Sequence, residues 1–335
     1  MSEPIGSRVF RDTTFIDLFA GIGGFRFALE SMRAKAVFAS EWDKYASKTY
    51  SANFGDIPAG DITKIATKDI PSHDIICGGF PCQPFSVSGK QLGFEDTRGT
   101  LFFDIARIIK YHKPKIIFLE NVANLRQHED GASIARMKKV LEGIGYDVNY
   151  KVLNASDFGV PQSRKRLYFV AFRKDLKIND FKYPEPTLED IVLADILDSK
   201  AKTKKYIIDS PSIVISEKGK IPRTLAPVRV GTINKGSQGD RIYSANGHAI
   251  TLSAQGGGTA SKTGAYLVNG IVRKLSPQEC RRVQGFPDSF VFPEGVSDSQ
   301  LWKQFGNSVS VPVLTKILES IVLRPELKAI TKPKK

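Results

Sequence analysis

The feature that most constrains this chain is an alternation in its first half. The apolar runs TFIDLF, AVFAS, HDIICGG and KIIFLENV are each followed by a segment with helical spacing: FRFALESM, DKYASKTYSANF, TLFFDIARIIKYH and ASIARMKKVLEGIG. Strands and helices taking turns build a mostly parallel, doubly wound α/β sheet with helices on both faces. KVLNA and RLYFVAFR add two strands before the pattern stops. The chain has 335 residues, more than the roughly 250 to 300 that one core organises, so a second domain is expected.

That domain is expected at 184–274, where the texture changes. DSKAKTKK is polar and basic, and NKGSQGDRIYSANGHAITLSAQGGGTASKTG is dense in Gly, Ser and Thr. Long helices cannot form there, whereas RIYS, AITLSA and AYLVNG keep β-type residues, so the segment reads as a smaller β-rich domain after a catalytic one at 1–183. Helical patterns return over 275–325. Ser276 with Glu279 three residues on forms a capping box, and SVPVLTKILESIVLR is expected to pack back on the first domain. The tail 326–335 is basic and expected to be disordered.

Hydrophobic residues at 41% and charged ones at 25% are ordinary for a globular protein. The 49 Lys and Arg against 35 Asp and Glu give a net charge of +14. A polyanionic partner, nucleic acid above all, accounts for that excess better than a merely solvated surface. Three cysteines, with no CxxC pair and no Cys/His cluster, exclude a disulfide framework and a structural zinc site. No leader-like run or stretch of 18 apolar residues occurs, so a cytoplasmic location is expected.

DLFAGIGGF follows an expected strand and opens a helix, the place where α/β proteins bind nucleotides. Gly21, Gly23 and Gly24 allow a tight turn and close approach to a ligand. The spacing departs from the GxGxxG dinucleotide fingerprint and from a P-loop. Glu41, 20 residues after Gly21, can accept hydrogen bonds from ribose hydroxyls; Trp42 offers a flat face to adenine, and Asp61 an acceptor for its amino group. Each acid alone reads as solvated charge. Together they point to an adenosine-bearing cofactor without a pyrophosphate.

GGFPCQPFS sets Cys82 between Pro81 and Pro84. Two prolines exclude a helix interior or a central strand, so the thiol sits on a stiff loop at a strand end. It is either a nucleophile or a small buried hydrophobe.

DLFAGIGGF, GGFPCQPFS, ENV, QSRKRLYFV and QFGNSV occur in the order of the DNA cytosine-5 methyltransferases, and the chain resembles that family over nearly its whole length. The resemblance implies a Rossmann-like S-adenosylmethionine methyltransferase fold with a target-recognition domain. Cys82 would be the nucleophile that adds to carbon-6 of cytosine. Glu120 would support ring nitrogen N3, and Arg164 and Arg166, expected on one face of a strand, would sit by the target base. Cofactor contacts are implied at Phe19, Gly21, Ile22, Gly24, Glu41, Trp42, Asp61, Ile62, Gly79 and Leu101, with Asn307 and Ser308 closing the pocket.

SVSGKQLGFED resembles the family's mobile loop that closes over DNA once the target base is flipped out, with Ser88 and Lys90 as DNA contacts. Gln238 and Arg241 match residues that fill the vacated position and read a guanine. The region resembles a branch of the family that methylates the inner cytosine of GCGC, except that Gln255 stands where that branch has tyrosine. The expected partners are double-stranded DNA and a restriction endonuclease acting on the same site without contact; the expected state is a monomer. The alternatives are an RNA cytosine-5 methyltransferase and a non-catalytic DNA-binding protein on the same fold.

Overall fold

The computed structural model describes residues 8–81, 101–217, 221–327 and 332–333. The chain divides into two compact units, one of 1–153, 165–184 and 314–335, the other of 154–164 and 185–313.

In the first unit the strands are β1 (Thr14–Leu18), β2 (Lys35–Ser40), β3 (Ile75–Gly79), β4 (Ile116–Val122), β5 (Tyr146–Asn154) and β6 (Lys165–Arg173), and the helices between them are α1 (Gly24–Ser31), α2 (Lys44–Phe54), α3 (Leu101–His112) and α4 (Ala132–Gly143). The strands form one sheet in the order β2-β1-β3-β4-β6-β5. β2, β1, β3 and β4 run parallel, and β6 lies antiparallel to β4. β3 and β4 are apolar and buried along almost every residue, as strands covered on both faces must be. Helix α3 repeats apolar residues at helical spacing and buries Phe102, Ile105, Ala106, Ile108 and Ile109. Phe102, Ile105, Ile108 and Ile109 join Ile76, Ile117 and Leu119 in one core cluster. Burying each large aliphatic side chain of this kind contributes about 1.5 to 3 kcal/mol.

Local chemistry sets the helix ends. Asp43 caps α2 by accepting from the Tyr45 and Ala46 amides, and Gly55 ends it in the left-handed region. Helix α1 starts at Gly23, φ 84°, with no side-chain cap.

The order of connections decides where a ligand fits. From β1 the chain passes outward to β2, then crosses back to β3 on the other side of β1. That reversal opens a crevice at the carboxyl ends of β1 and β3.

The second unit holds a five-stranded sheet of β7 (Val214–Ile215), β8 (Arg229–Thr232), β9 (Arg241–Ser244), β10 (Ala265–Val268) and β11 (Ile271–Arg273), in the order β11-β10-β9-β8-β7. Helices α5 (Pro277–Val283) and α6 (Asp298–Asn307) follow, and α7 (Val311–Val322) carries the chain across the division at residue 314. AITLSA, expected to be a strand, forms only an isolated bridge at Ala249. Its backbone is satisfied elsewhere: the Ile250 amide donates to the Tyr266 hydroxyl, the Leu252 amide to Gln162 and the Ser253 amide to the Lys262 carbonyl.

The expected capping box forms, with Ser276 and Glu279 exchanging bonds at the start of α5. The return to the first unit begins later than residue 275, at 314. The reason lies in what α5 carries. Glu279, fully buried, accepts two bonds from Arg273 and one from the Asp198 amide, and Arg282 donates to the Ile196 carbonyl. From Leu314 on, Leu314, Ile317, Leu318, Ile321 and Val322 are fully buried along one side of α7. The described residues of the tail depart from the expectation of disorder: Leu327 is buried, and Lys332–Pro333 pairs antiparallel with Arg8–Val9. Among the described residues, no helix is long and apolar enough to cross a membrane.

Candidate active site

The crevice at the ends of β1 and β3 is lined by backbone held in unusual conformations. Phe19, Gly21 and Gly23 have φ of 55°, 56° and 84°. A left-handed phenylalanine is strained, and such strain persists where the surroundings enforce it. Here the Gly21 amide donates to Glu41 Oε2 at 2.8 Å, the Ala20 amide to the Ser40 carbonyl, and the Gly23 amide to Ala20. Glu41 Oε1 accepts from the Asp43 amide at 2.7 Å. One carboxylate thus ties the β1–α1 turn to the start of α2, and each oxygen keeps a lone pair for a further donor. Burial pushes the Glu41 carboxyl up, opposed by its backbone hydrogen bonds.

Other expected cofactor residues surround this turn or the elements beside it. Trp42 is 81% exposed, a large flat apolar face in solvent. Asp61 caps a short turn by accepting from the Thr63 amide and hydroxyl, which hold its carboxyl below the usual range. Ile22 and Ile62 are buried, the latter in the main core. Gly24 begins α1, Leu101 begins α3, and Gly79 ends β3. A Cβ on the neighbouring Gly78 would overlap the Leu18 carbonyl, so the tips of β1 and β3 approach as closely as backbone allows.

The strand register puts Gly78 opposite Leu18 and Gly79 opposite Glu120. Glu120 is 7% exposed, and Arg166 Nε lies 3.1 Å from its Oε1. In the antiparallel β4/β6 pair Glu120 faces Tyr168 and Val122 faces Arg166. The ion pair is therefore a cross-strand diagonal on one face of the sheet. Asn121, next in the chain, donates to the Phe80 carbonyl at 3.0 Å and anchors the segment that leads into Pro81. Cys82, Ser88 and Lys90 lie outside the described residues.

Arg164 differs from the expectation of a shared face with Arg166. Strand β6 begins at Lys165, so the two-residue alternation does not reach Arg164. Its amide donates to Asn154 Oδ1, and its guanidinium donates to the carbonyls of Leu252, Gly306 and Ser308 at 2.9, 3.1 and 2.5 Å. Asn307 ends α6 and Ser308 caps it, so this buried arginine braces the turn that carries both residues.

Two buried groups in β1 and β3, Asp17 and Cys77, are not among the expected site residues. Asp17 in β1 is fully buried; its Oδ2 has no hydrogen-bond partner, and burial pushes its carboxyl up to about 8. Cys77 donates to the Ile16 carbonyl and Asp17 Oδ1. A lone acid inside the apolar run TFIDLF was the available signal. Burial also holds the Cys77 and Cys280 thiols well above their ordinary value, so neither is a nucleophile near neutral pH.

In the second unit, Gln238 is exposed at the start of a short 3-10 turn (Gln238–Asp240), Gln255 is exposed on a loop, and Arg241 begins β9 with a buried Nε that has no hydrogen-bond partner.

Comparison with known proteins supplies the family. Residues 13–323 match the family model described as C-5 cytosine-specific DNA methylase. The type II methyltransferase M.HhaI of Haemophilus parahaemolyticus is 52% identical over 308 residues, covering 92% of this chain and 93% of that relative. M.HpaII of Haemophilus parainfluenzae is 46% identical over 327 residues, covering 92% and 90%. Among solved structures, the S. pombe Dnmt2 methyltransferase superposes with a TM-score of 0.71 at 20% identity, covering 93% of this chain and 99% of that one. With a Rossmann-like sheet, a carboxylate and an arginine paired beside the exit of β3, and a family match along almost its whole length, this chain belongs to the C-5 cytosine-specific DNA methylases.

Proposed function

We propose that the protein transfers a methyl group from S-adenosylmethionine to carbon-5 of a flipped-out cytosine in a short duplex site, GCGC, as the modification half of a type II restriction-modification pair. The observation that carries this reading is the Glu120–Arg166 pair one strand from the exit of β3, whose next segment leads to Cys82.

Residues of the first unit fit the cofactor. Trp42 has an open face for adenine, Glu41 spare lone pairs for ribose, and the uncapped first turn of α1 has amides for a carboxylate. When bound, S-adenosylmethionine supplies an electrophilic methyl group. The chain's own residues do the rest. Cys82 forms a bond to carbon-6, which pushes the carbon-5/carbon-6 π pair toward carbon-5 and raises negative charge on the ring. Glu120, held by Arg166, meets that charge by sharing a proton at N3. After transfer a base takes the proton from carbon-5, and the carbon–sulfur bond breaks to return the thiolate. Carbon-5 and carbon-6 are hidden in stacked DNA, so the base must be extruded. With Cys77 and Cys280 inert, Cys82 is the thiol left for this chemistry.

Target reading is assigned to the glycine-rich loops of the second unit, with Arg241 bonding guanine, a contact worth about 1 to 3 kcal/mol of discrimination. The likeness of these loops to the branch of the family that methylates GCGC supports that target, and Gln255 is the position that departs from that branch. A modification enzyme must reach the cell's own DNA, which puts it in the cytoplasm with a nuclease of the same target. Tritiated S-adenosylmethionine offered with duplex DNA and with tRNA tests the reading. Label is expected in duplex cytosine; label in tRNA alone overturns it.

A further inference from the structure

The two glycine-rich loops of the second unit are fastened to each other, and one carboxylate is the fastener. Loop 233–240 runs from the end of β8 into β9, and loop 252–260 follows the irregular AITLSA segment. Asp240 is 6% exposed. Its Oδ2 accepts from Ser237 Oγ at 2.6 Å within the first loop, and its Oδ1 accepts from the Thr259 amide at 2.8 Å in the second. Those bonds, that from Ser237 foremost, hold the carboxyl below its usual range. The Ala260 amide donates to the Gly239 carbonyl at 2.9 Å, and the Asp240 carbonyl accepts from the Ile233 amide at 2.7 Å.

Glycines close the remaining gap. A Cβ at Gly239 would overlap the Gly257 carbonyl, and one at Gly258, φ 97°, would lie 2.7 Å from the Gly239 carbonyl carbon. The far end of the second loop is braced as well, by Arg164 at the Leu252 carbonyl and by Gly306, whose Cβ would overlap the Ser253 backbone. Between these braces Gln255 and the exposed Gly256 and Gly257 project from a backbone with little freedom left. Exposed polar tips on a clamped backbone are what a preformed reader of base edges requires. Loops free to shift would lose hydrogen bonds to the right base and accept wrong ones.

We propose that Asp240 is a specificity-positioning residue, which sets target choice by locking the two recognition loops in one register without itself touching DNA. The inference rests on the reading that these loops choose the target. Asp240→Ala removes the acceptor of both ties, whereas an asparagine there could still accept from the Thr259 amide and donate to the Ser237 hydroxyl; Ser237→Ala removes one of the two ties.

The experiment measures kcat/KM for the methylated duplex and for every duplex differing from it by one base pair, with S-adenosylmethionine affinity and the thermal midpoint measured alongside. Asp240→Ala is expected to lower the preference for the methylated duplex at least tenfold and Ser237→Ala about threefold, with cofactor affinity within twofold of the parent. An unchanged preference, or an equal loss on every duplex, overturns the proposal. Where Asp240→Ala does not fold, Ser237→Ala decides by the same criterion. Arg241→Ala separates the two levels. If it too leaves the preference intact, the recognition reading itself fails; if it alone relaxes the preference, only the role of Asp240 fails.

Discussion

Arg164→Met is the substitution that puts most weight on one side chain. Arg164 is 2% exposed, and its guanidinium donates to three carbonyls at 2.9, 3.1 and 2.5 Å. Hydrogen bonds involving a charged partner contribute about 1.5 to 3 kcal/mol each, so three give a gross contribution of about 4.5 to 9 kcal/mol. Burying a guanidinium costs several kcal/mol in return, a cost that methionine, of similar length and apolar, does not incur. The carbonyls left behind keep little else: Gln284 Nε2 lies 3.5 Å from the Ser308 oxygen. The expected net loss is about 3 kcal/mol. Arg164→Lys, with one ammonium for three diverging acceptors, is expected to lose about half of that. Urea unfolding measures both through the transition midpoint at unchanged slope, and hydrogen exchange at the 306–308 amides reports whether the loss is local. A loss below about 1 kcal/mol for Arg164→Met, or exchange no faster at those amides, would refute the reasoning.

Two further outcomes follow from the first unit. Asp17 holds its proton in the fold up to a pH of about 8, whereas the unfolded chain loses it near 3.8, so stability is full below that window and declines as pH rises through it, by at most about 1.4 kcal/mol per pH unit. Asp17→Asn should flatten that decline in melts from pH 5 to 8, and an identical decline in both proteins would contradict the assignment. Gly78→Ala drives a methyl group into the Leu18 carbonyl; it should cost about 1 to 3 kcal/mol by overpacking and weaken S-adenosylmethionine binding at least tenfold by calorimetry. Affinity within twofold of the parent would show that the crevice is not the cofactor site.

The parts of the fold written as local periodicity were legible in the sequence. The strands and helices around β1 to β6 follow apolar spacing, and the capping box at Ser276 and Glu279 depends on two residues three apart. What escaped the reading depends on partners far along the chain. Arg164 looked like the first of two alternating arginines, but its carbonyl partners lie 88 to 144 residues away, and no local pattern announces them. AITLSA has β-type composition yet no ladder, because Gln162, Lys262 and the Tyr266 hydroxyl satisfy its backbone first. Residues 275–313 read as the start of a return to the first unit, whereas a buried Arg273–Glu279 pair fixes α5 within the second. Glu120 stood out only through its motif, and its pairing with Arg166 needed the β4/β6 register.

Bisulfite sequencing of plasmid DNA from cells producing the protein tests the central claim most directly, because it reads activity, base and target at once. The account predicts that the inner cytosine of GCGC stays unconverted, and that Cys82→Ala removes the protection. Full conversion at every cytosine in cells producing the intact enzyme would contradict methyl transfer to cytosine, and protection confined to another motif would contradict the target.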